Sequence, residues 1–584
     1  MPRGKRARRP FLPAATAAVL CFARPGAVQA GWIDAATPES EFATTCYEDG
    51  NHYELVFSDE FEDEGRTFDD GQDPRWTAID KNDYTNAALQ YYSKDNIITR
   101  DGMLEITTEN TDVEFEYWND KTKSFSPMKK VYKSGMLQSW NKFCFTGGVI
   151  EVSARLPGTS DIGGLWPAIW LLGNLARATY TSSSDWIWPW SYNQCDYSTA
   201  NRRGWQHQQE TSACDISTHY GFAPQTGRGA PEIDILEAMA GYDPYPYVSN
   251  SFQVSPGTPA DSRPVEGKFP QPGEWYEEGM TYGENTTMNV YFMGTELKHS
   301  EPGTSYWADA ISANHRISET HFEHHHVYRV EWVPGNDGYV NWYIDGNFSF
   351  GLTAGTLNRT GAQIPMEPMY ILFNTAVSSM WGMPAPCPPG CPCECYDARE
   401  PKCSCAIPKN MDLIFPATFQ LDWVRVYQAP DDDRQNVGCS TEAYPTARWI
   451  KGHHERYMDP SDTHILYDVP TGGGSCRHDS NCHEGGSCAK RKCVCAEGRA
   501  GPTCQSPDGY DDSEYQDWDN TLPEMEPPYV PVALATGMAL LVGSFALTLI
   551  VRRSHRRKRL ELARMDEALE MLPPHVPVGP GGGL

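Results

Sequence analysis

Glu232-Ile233-Asp234-Ile235-Leu236-Glu237 is the stretch on which the fold turns. Its apolar residues read as strand. In a plain strand successive side chains alternate faces, so Glu232 and Asp234 share one face. Glu237 would point the other way, unless one extra residue is taken up as a β-bulge and returns it to the same side. Three carboxyl groups then line one surface, where like charges repel and raise one another's pKa. A solvated acidic face on an edge strand is the plain alternative. Ile233, Ile235 and Leu236 argue instead for a buried sheet. Paired carboxyl groups of this kind are what glycoside hydrolysis requires.

The surrounding region, residues 51–430, is rich in short β-type runs separated by Gly, Pro, Asn and Asp. Met103-Leu-Glu-Ile-Thr-Thr108, Tyr328-Arg-Val-Glu-Trp332 and Val340-Asn-Trp-Tyr-Ile344 are examples, and the last runs into a hairpin signal at Asp345-Gly346. Long helical periodicity is missing from this region. The pattern predicts an all-β sandwich. Two irregular inserts interrupt it, Ala176 to Gly229 and the Cys-rich stretch Cys387 to Cys405.

Several stretches resemble glycoside hydrolase family 16. They are the E-x-D-x-x-E strand itself, Gly164-Leu-Trp-Pro-Ala-Ile-Trp-Leu-Leu-Gly173, Phe145-Thr-Gly-Gly-Val-Ile-Glu-Val-Ser-Ala-Arg155 and Phe419-Gln-Leu-Asp-Trp-Val-Arg-Val-Tyr427. Leu55-Val-Phe-Ser-Asp-Glu-Phe61, Gly227-Arg-Gly-Ala-Pro-Glu232 and Tyr306-Trp-Ala-Asp-Ala-Ile-Ser-Ala-Asn314 narrow the resemblance to one branch. That branch is the fungal-type β-glucan synthesis-associated proteins of the killer-toxin-resistance class. The resemblance covers roughly residues 51–430. It implies a concanavalin-like β-jelly-roll sandwich with a concave substrate cleft, a β-glucan substrate and no cofactor.

The resemblance also implies roles for the three acids. Glu232 is the nucleophile, Glu237 the acid/base, and Asp234 the residue that orients Glu232 and tunes the pKa values. Retaining enzymes of this chemistry hold the two working carboxyl groups about 5–5.5 Å apart and pass through a covalent glycosyl-enzyme. Glu237 must stay protonated near neutral pH, which its acidic neighbours favour. Trp166 and Trp170 are four residues apart, share a strand face, and are the candidate sugar-binding rings; a core role is the alternative for each. Trp186, Trp188 and Trp190 also alternate and are expected to border the cleft. His321 and His324-His-His326 could suggest a metal, but the cluster reads as the opening of an ordinary strand, and no metal site is expected.

The ends of the chain define its setting. Residues 1–30 read as a signal peptide, with Arg3, Lys5, Arg6, Arg8 and Arg9 before a short apolar core. Residues 31–50 form an N-terminal extension. After the catalytic region come a polar connector (431–473), an EGF-like module (474–506) and an acidic stalk (507–529). Val530 to Val551 is apolar and uncharged, long enough at ~1.5 Å per residue to cross a bilayer as one helix. Arg552, Arg553, Arg556, Arg557, Lys558 and Arg559 follow, which places the 552–584 tail in the cytosol. The expected protein is therefore single-pass, its catalytic domain lumenal or extracellular, in the secretory pathway or the plasma membrane.

Of 18 cysteines all but Cys21 fall in the part expected to be exported, a density that fits an oxidising compartment. Cys476, Cys482, Cys488, Cys493, Cys495 and Cys504 have EGF-like spacing, and that resemblance implies the pairs Cys476–Cys488, Cys482–Cys493 and Cys495–Cys504. The module is expected to act as a rigid spacer. Cys387, Cys391, Cys393, Cys395, Cys403 and Cys405 read as a disulfide knot rather than a metal site. Asn285, Asn347 and Asn358 each open an N-glycosylation sequon. The net charge of −29 excludes a phosphate backbone as partner and is compatible with a neutral glucan. A glucan-binding receptor without catalysis and an assembly factor for a glucan synthase are the competing readings; both leave three clustered acids without a use.

Overall fold

The computed structural model describes residues 31–507, apart from 120–121, 123, 194–211, 214–221, 223–225, 242–244, 299–304, 385–387, 459–464 and 484. The expected signal peptide, the stalk beyond Pro507, the apolar run 530–551, the cytosolic tail and Cys387 lie outside these residues. Among the described residues no helix is long and apolar enough to cross a membrane.

Twelve strands carry the argument: β1 (His52–Asp59), β2 (Met103–Thr108), β3 (Gly148–Arg155), β4 (Trp166–Gly173), β5 (Glu232–Met239), β6 (Tyr247–Val254), β7 (Ser305–Arg316), β8 (His326–Val333), β9 (Tyr339–Ile344), β10 (Asn347–Thr353), β11 (Met369–Ala376) and β12 (Ala417–Gln428). One sheet runs in the order β1-β12-β3-β8-β9-β10, with β2 also on β12. The other runs β7-β6-β5-β4-β11. All these neighbours are antiparallel. Two runs of strands are neighbours in sequence as well as in space, β4 to β7 in one sheet and β8 to β10 in the other, while β1, β2, β3, β11 and β12 pair across long stretches of chain, giving a jelly-roll-like all-β sandwich.

Strand alternation explains why the sheets stack. Ile169, Leu171, Ile233, Leu236, Phe252, Ile371 and Phe373 face inward from one sheet; Ile150, Val152, Val330, Trp332, Trp342, Val424 and Val426 face them from the other. All are essentially sealed from water. Central strands buried on both sides lose the polar alternation, and β11 is buried at every position. The Asp345-Gly346 signal forms the β9–β10 turn, with both residues at positive φ, the conformation of the two-residue turns that match strand twist.

The motif Leu55 to Phe61 holds a buried charge cluster. Arg66 donates to both oxygens of Asp59 at 2.8 Å and to Asp73 at 2.7 Å, while the Trp76 indole donates to Asp59. Each charge is paired and hydrogen-bonded, as burial demands.

Two segments behave differently from their sequence expectation. The connector was expected to be a polar link, yet residues 436–457 pack on the sandwich. Asn436–Val437 pairs with the strand Cys144–Thr146, Cys439 is disulfide-bonded to Cys144, and Trp449, Ile450 and Tyr457 are buried. The polar composition of 431–435 conceals the apolar residues behind it. The extension 31–50 likewise adds a strand, Ala43–Thr45, to the edge of β1.

The Cys-rich module is joined by Cys476–Cys488, Cys482–Cys493 and Cys495–Cys504. Cys476, Cys482 and Cys493 bring their sulfurs together, but each is tied up in one of these bonds. The module does not stand away as a spacer. Arg499 clasps both oxygens of Asp63 at 2.7 and 2.6 Å, Gln505 donates to the Thr67 carbonyl, and the Ser506 hydroxyl donates to buried Asp73. The sequence hid this docking because it rests on scattered polar partners. Arg499→Ala is expected to cost about 1 kcal/mol, since the pair is only partly buried. Hydrogen exchange should then speed up in the hairpin Gly486–Cys495, with the sandwich unchanged. In the other Cys-rich insert Cys391 bonds Cys405 and Cys395 bonds Cys403, while Cys393 is also in a disulfide.

Candidate active site

β5 lies in the middle of the second sheet, and its register contains the bulge. Against β4, Leu236 faces Ile169 while Asp234 faces Trp170, which leaves Ile235 as the extra residue. The same shift occurs against β6, where Asp234 faces Ser251 and Glu237 faces Ser249. Ile233, Ile235, Leu236 and Ala238 consequently point into the core, and Glu232, Asp234 and Glu237 gather on the opposite face. A bulge breaks the ladder and leaves backbone groups needing partners. Here the Ile235 carbonyl accepts from Asn250 Nδ2 at 2.7 Å, and the Asp234 carbonyl accepts from Trp342 Nε1 at 2.9 Å. Ser349 in turn donates to Asn250, so the core itself holds the distortion.

Each acid has a distinct set of donors. Glu232 accepts from the Trp188 indole at 2.7 Å and from Gln253 Nε2 at 2.9 Å, and it hydrogen-bonds Asp234. Gln253 also reaches Asp234 at 3.3 Å. Glu237 accepts from the Trp166 indole at 2.9 Å. Burial, then the charge of Glu237, pushes the Glu232 carboxyl up to about 8, against the downward pull of Trp188, Asp234 and Gln253. Burial and Glu232 raise Asp234 well above the usual carboxylate range. Burial and Asp234 do the same to Glu237. The three groups cannot all be ionised near neutrality. As pH rises the first charge settles where donors converge, and Glu232 has three against one for Glu237. Glu237 is the acid left holding a proton.

Asp234 supports the charge on Glu232 through its hydrogen bond. Asp234→Leu should therefore raise the Glu232 pKa and move the acid limb of the kcat/KM profile to higher pH. Asp234→Asn keeps a donor and should move it less. An unmoved limb in both variants would remove Asp234 from this role.

Both candidate sugar-binding tryptophans lie half-buried on the cleft side of β4. Trp166 stacks on Trp381 with centroids 4.7 Å apart, and Trp170 donates to Asn374 at 2.8 Å. The three alternating tryptophans divide. Only Trp188 reaches the acids; Trp186 and Trp190 are 2% and 1% exposed and pack on Tyr306, so they are core and not cleft border. Gln253, Asn374 and Trp381 were not singled out in the sequence. Their positions follow from cross-strand register, which no local pattern reports.

The remaining candidates lie elsewhere. His326 opens β8, its ring stacked on His321 and hydrogen-bonded to Asp345 at 2.6 Å. Asn285, Asn347 and Asn358 are all exposed.

Comparison with known proteins covers most of the chain. The family model for beta-glucan synthesis-associated protein SKN1/KRE6/Sbg1 matches residues 15–386 and 403–471. The beta-glucan synthesis-associated protein SKN1 of Saccharomyces cerevisiae is 31% identical over 459 residues, 75% of this chain and 51% of that protein. KRE6 of the same yeast is 30% identical over 460 residues, 75% of this chain and 55% of that protein. The chain thus spans about half the length of these curated relatives. Among solved structures, the endo-beta-1,3-glucanase of Pyrococcus furiosus aligns with 67% of this chain and 98% of its own, at 20% identity and a TM-score of 0.36. A global similarity of that level does not by itself discriminate between functions. The family match extends over well more than half of the chain, and the chain belongs to the SKN1/KRE6/Sbg1 family of beta-glucan synthesis-associated proteins.

Proposed function

We propose that this protein is a β-glucan-active retaining glycosidase or transglycosylase that works in β-glucan (β-1,6 or β-1,3) synthesis and cell-wall remodelling. The observation that carries the reading is the bulge at Ile235, which brings Glu232, Asp234 and Glu237 to one face with separate donors for each end of the cluster. A binding surface or assembly scaffold has no need of three clustered, mutually repelling acids.

The residues support a two-step reaction. The Glu232 carboxylate attacks the anomeric carbon while the glycosidic C–O bond breaks, and Glu237 gives its proton to the departing oxygen. A glycosyl ester on Glu232 results. Glu237, now ionised, takes the proton of an incoming hydroxyl, which attacks the anomeric carbon and releases Glu232. A sugar hydroxyl as acceptor makes the protein a transglycosylase, and water makes it a hydrolase. Trp188 and Gln253 hold Glu232 in place throughout, and Trp166 does so for Glu237. The apolar run 530–551 anchors the protein, with the site on the lumenal or outer side.

The test is product analysis by mass spectrometry after incubating the full chain in detergent with β-1,3- and β-1,6-gluco-oligosaccharides. Products longer than the donor mean transfer, and only shorter ones mean hydrolysis. If neither forms with folded protein, the enzymatic reading fails.

A further inference from the structure

Trp188 joins the acid cluster to a second feature that the triad does not use. Beyond its indole opens a recess of about 330 Å³, lined by Thr181, Ser182, Asp185, Trp188, Leu297 and Tyr306. Two unrelated parts of the chain build it: the start of the insert Ala176–Gly229, and the neighbouring strands Thr295–Lys298 and β7. We propose that this recess is a sugar-binding pocket that seats a pyranose unit of the glucan on the Glu232 side of the cleft, a proposal that rests on the function given above.

The walls suit an uncharged, amphipathic ring. Thr181, Ser182 and Asp185 are exposed at the rim and present hydroxyls and a carboxylate, the groups that bond sugar hydroxyls. Trp188, Leu297 and Tyr306 supply the apolar side, against which the C–H face of a pyranose packs. A carboxylate at the rim of a chain carrying −29 net charge turns away an anionic ligand. The volume lies at the small end of the ~300–1,000 Å³ typical of ligand sites, which fits a short stretch of sugar and not a long polymer.

The pocket is also pre-formed. The Tyr306 hydroxyl donates to the Trp188 carbonyl at 2.6 Å, and its ring packs against Trp186 and Trp190 at centroid distances of 4.8 and 5.3 Å. The same Trp188 donates its indole proton to Glu232. A ring seated here is therefore one side chain, Trp188, away from the attacking carboxylate, and its binding energy fixes the register of the chain across the acids. The burial of Trp186 and Trp190 has a purpose in this arrangement, because they form the floor that holds Tyr306.

The test measures gluco-oligosaccharide binding by calorimetry to the full-length Glu232→Gln protein. The same protein carrying Asp185→Ala or Ser182→Trp is compared, together with turnover by the pocket variants on a wild-type background. Both substitutions fall at exposed rim positions, and circular dichroism and thermal unfolding check that each variant is folded before binding is read. Loss of one charge-assisted hydrogen bond, or obstruction of the pocket, should weaken binding about tenfold or more. If Glu232→Gln binds and the wild type turns over glucan, yet neither pocket variant weakens binding, the pocket is refuted and the enzyme stands. Sugar binding that the pocket variants lose, without turnover by any form, keeps the pocket and refutes the catalytic reading. A protein that neither binds nor turns over these sugars overturns both.

Discussion

Glu232→Gln should abolish glucan turnover, by at least about 10⁴-fold, because it removes the group that forms the covalent bond. It should leave the fold intact, since glutamine keeps the shape and its single oxygen still accepts from one of the two donors, Trp188 or Gln253. The variant should also be more stable than the wild type at high pH. The Glu232 carboxyl has a raised pKa in the folded protein, so its contribution is fully present below the ordinary value of 4.5 and is lost as pH rises through about 8. Glutamine carries no such loss. Thermal unfolding of the two proteins at pH 5 and pH 8.5 should show a gap that widens with pH. Retained turnover would remove Glu232 from the reaction. A gap independent of pH would contradict the account of the cluster's charge.

A second measurement separates Glu232 from Glu237. Glu237→Gln removes the proton donor but leaves the nucleophile, so a donor with a good leaving group still forms the glycosyl ester. Mass spectrometry of the intact protein should then show the sugar attached. Glu232→Gln should show none with any donor.

Six residues were enough to read the site because a strand's period is local. Polar residues at 232 and 234, apolar residues at 233, 235 and 236, and an acid at 237 can share one core only with a bulge. The two-sheet architecture was legible for the same reason. The partners of the acids were not. Gln253 lies on β6 and Trp381 after β11, and which of their neighbours they meet depends on register between strands far apart in the chain. Trp186, Trp188 and Trp190 alternate as a strand would, but the segment after Ser184 is not a strand, so alternation misassigned two of the three. Polar stretches were the other blind spot. Residues 431–473 and the module after Cys476 looked like links because their contacts with the sandwich are made by single residues, with no periodic face.

The connector's role leads to the second large effect. Breaking the Cys144–Cys439 disulfide by replacing both residues with alanine should cost about 5 kcal/mol of stability. The bond closes a loop of 295 residues, and constraint on the unfolded chain grows with loop length. More than chain entropy is at stake. Asn174, just beyond β4, donates to the Asn141 side chain, the Cys439 carbonyl and Thr446 at 2.8, 3.3 and 3.1 Å. Tyr457 stacks on Trp140 and donates to the Leu175 carbonyl at 2.7 Å, while Arg177 donates to the Tyr457 carbonyl. Arg228, shortly before β5, is held by both oxygens of Glu367 and by the Pro445 carbonyl. The segment therefore braces the end of β4 and the start of β5, the strands that carry Trp166, Trp170 and the acids. Denaturant unfolding should show a lower midpoint with little change in slope. At low temperature turnover should persist, because among the described residues no hydrogen bond joins Glu232, Asp234 or Glu237 to the segment. An unchanged midpoint would mean that the hydrogen bonds hold these residues without the disulfide. Loss of turnover in a protein that remains folded would mean that the brace sets the geometry of the acids themselves.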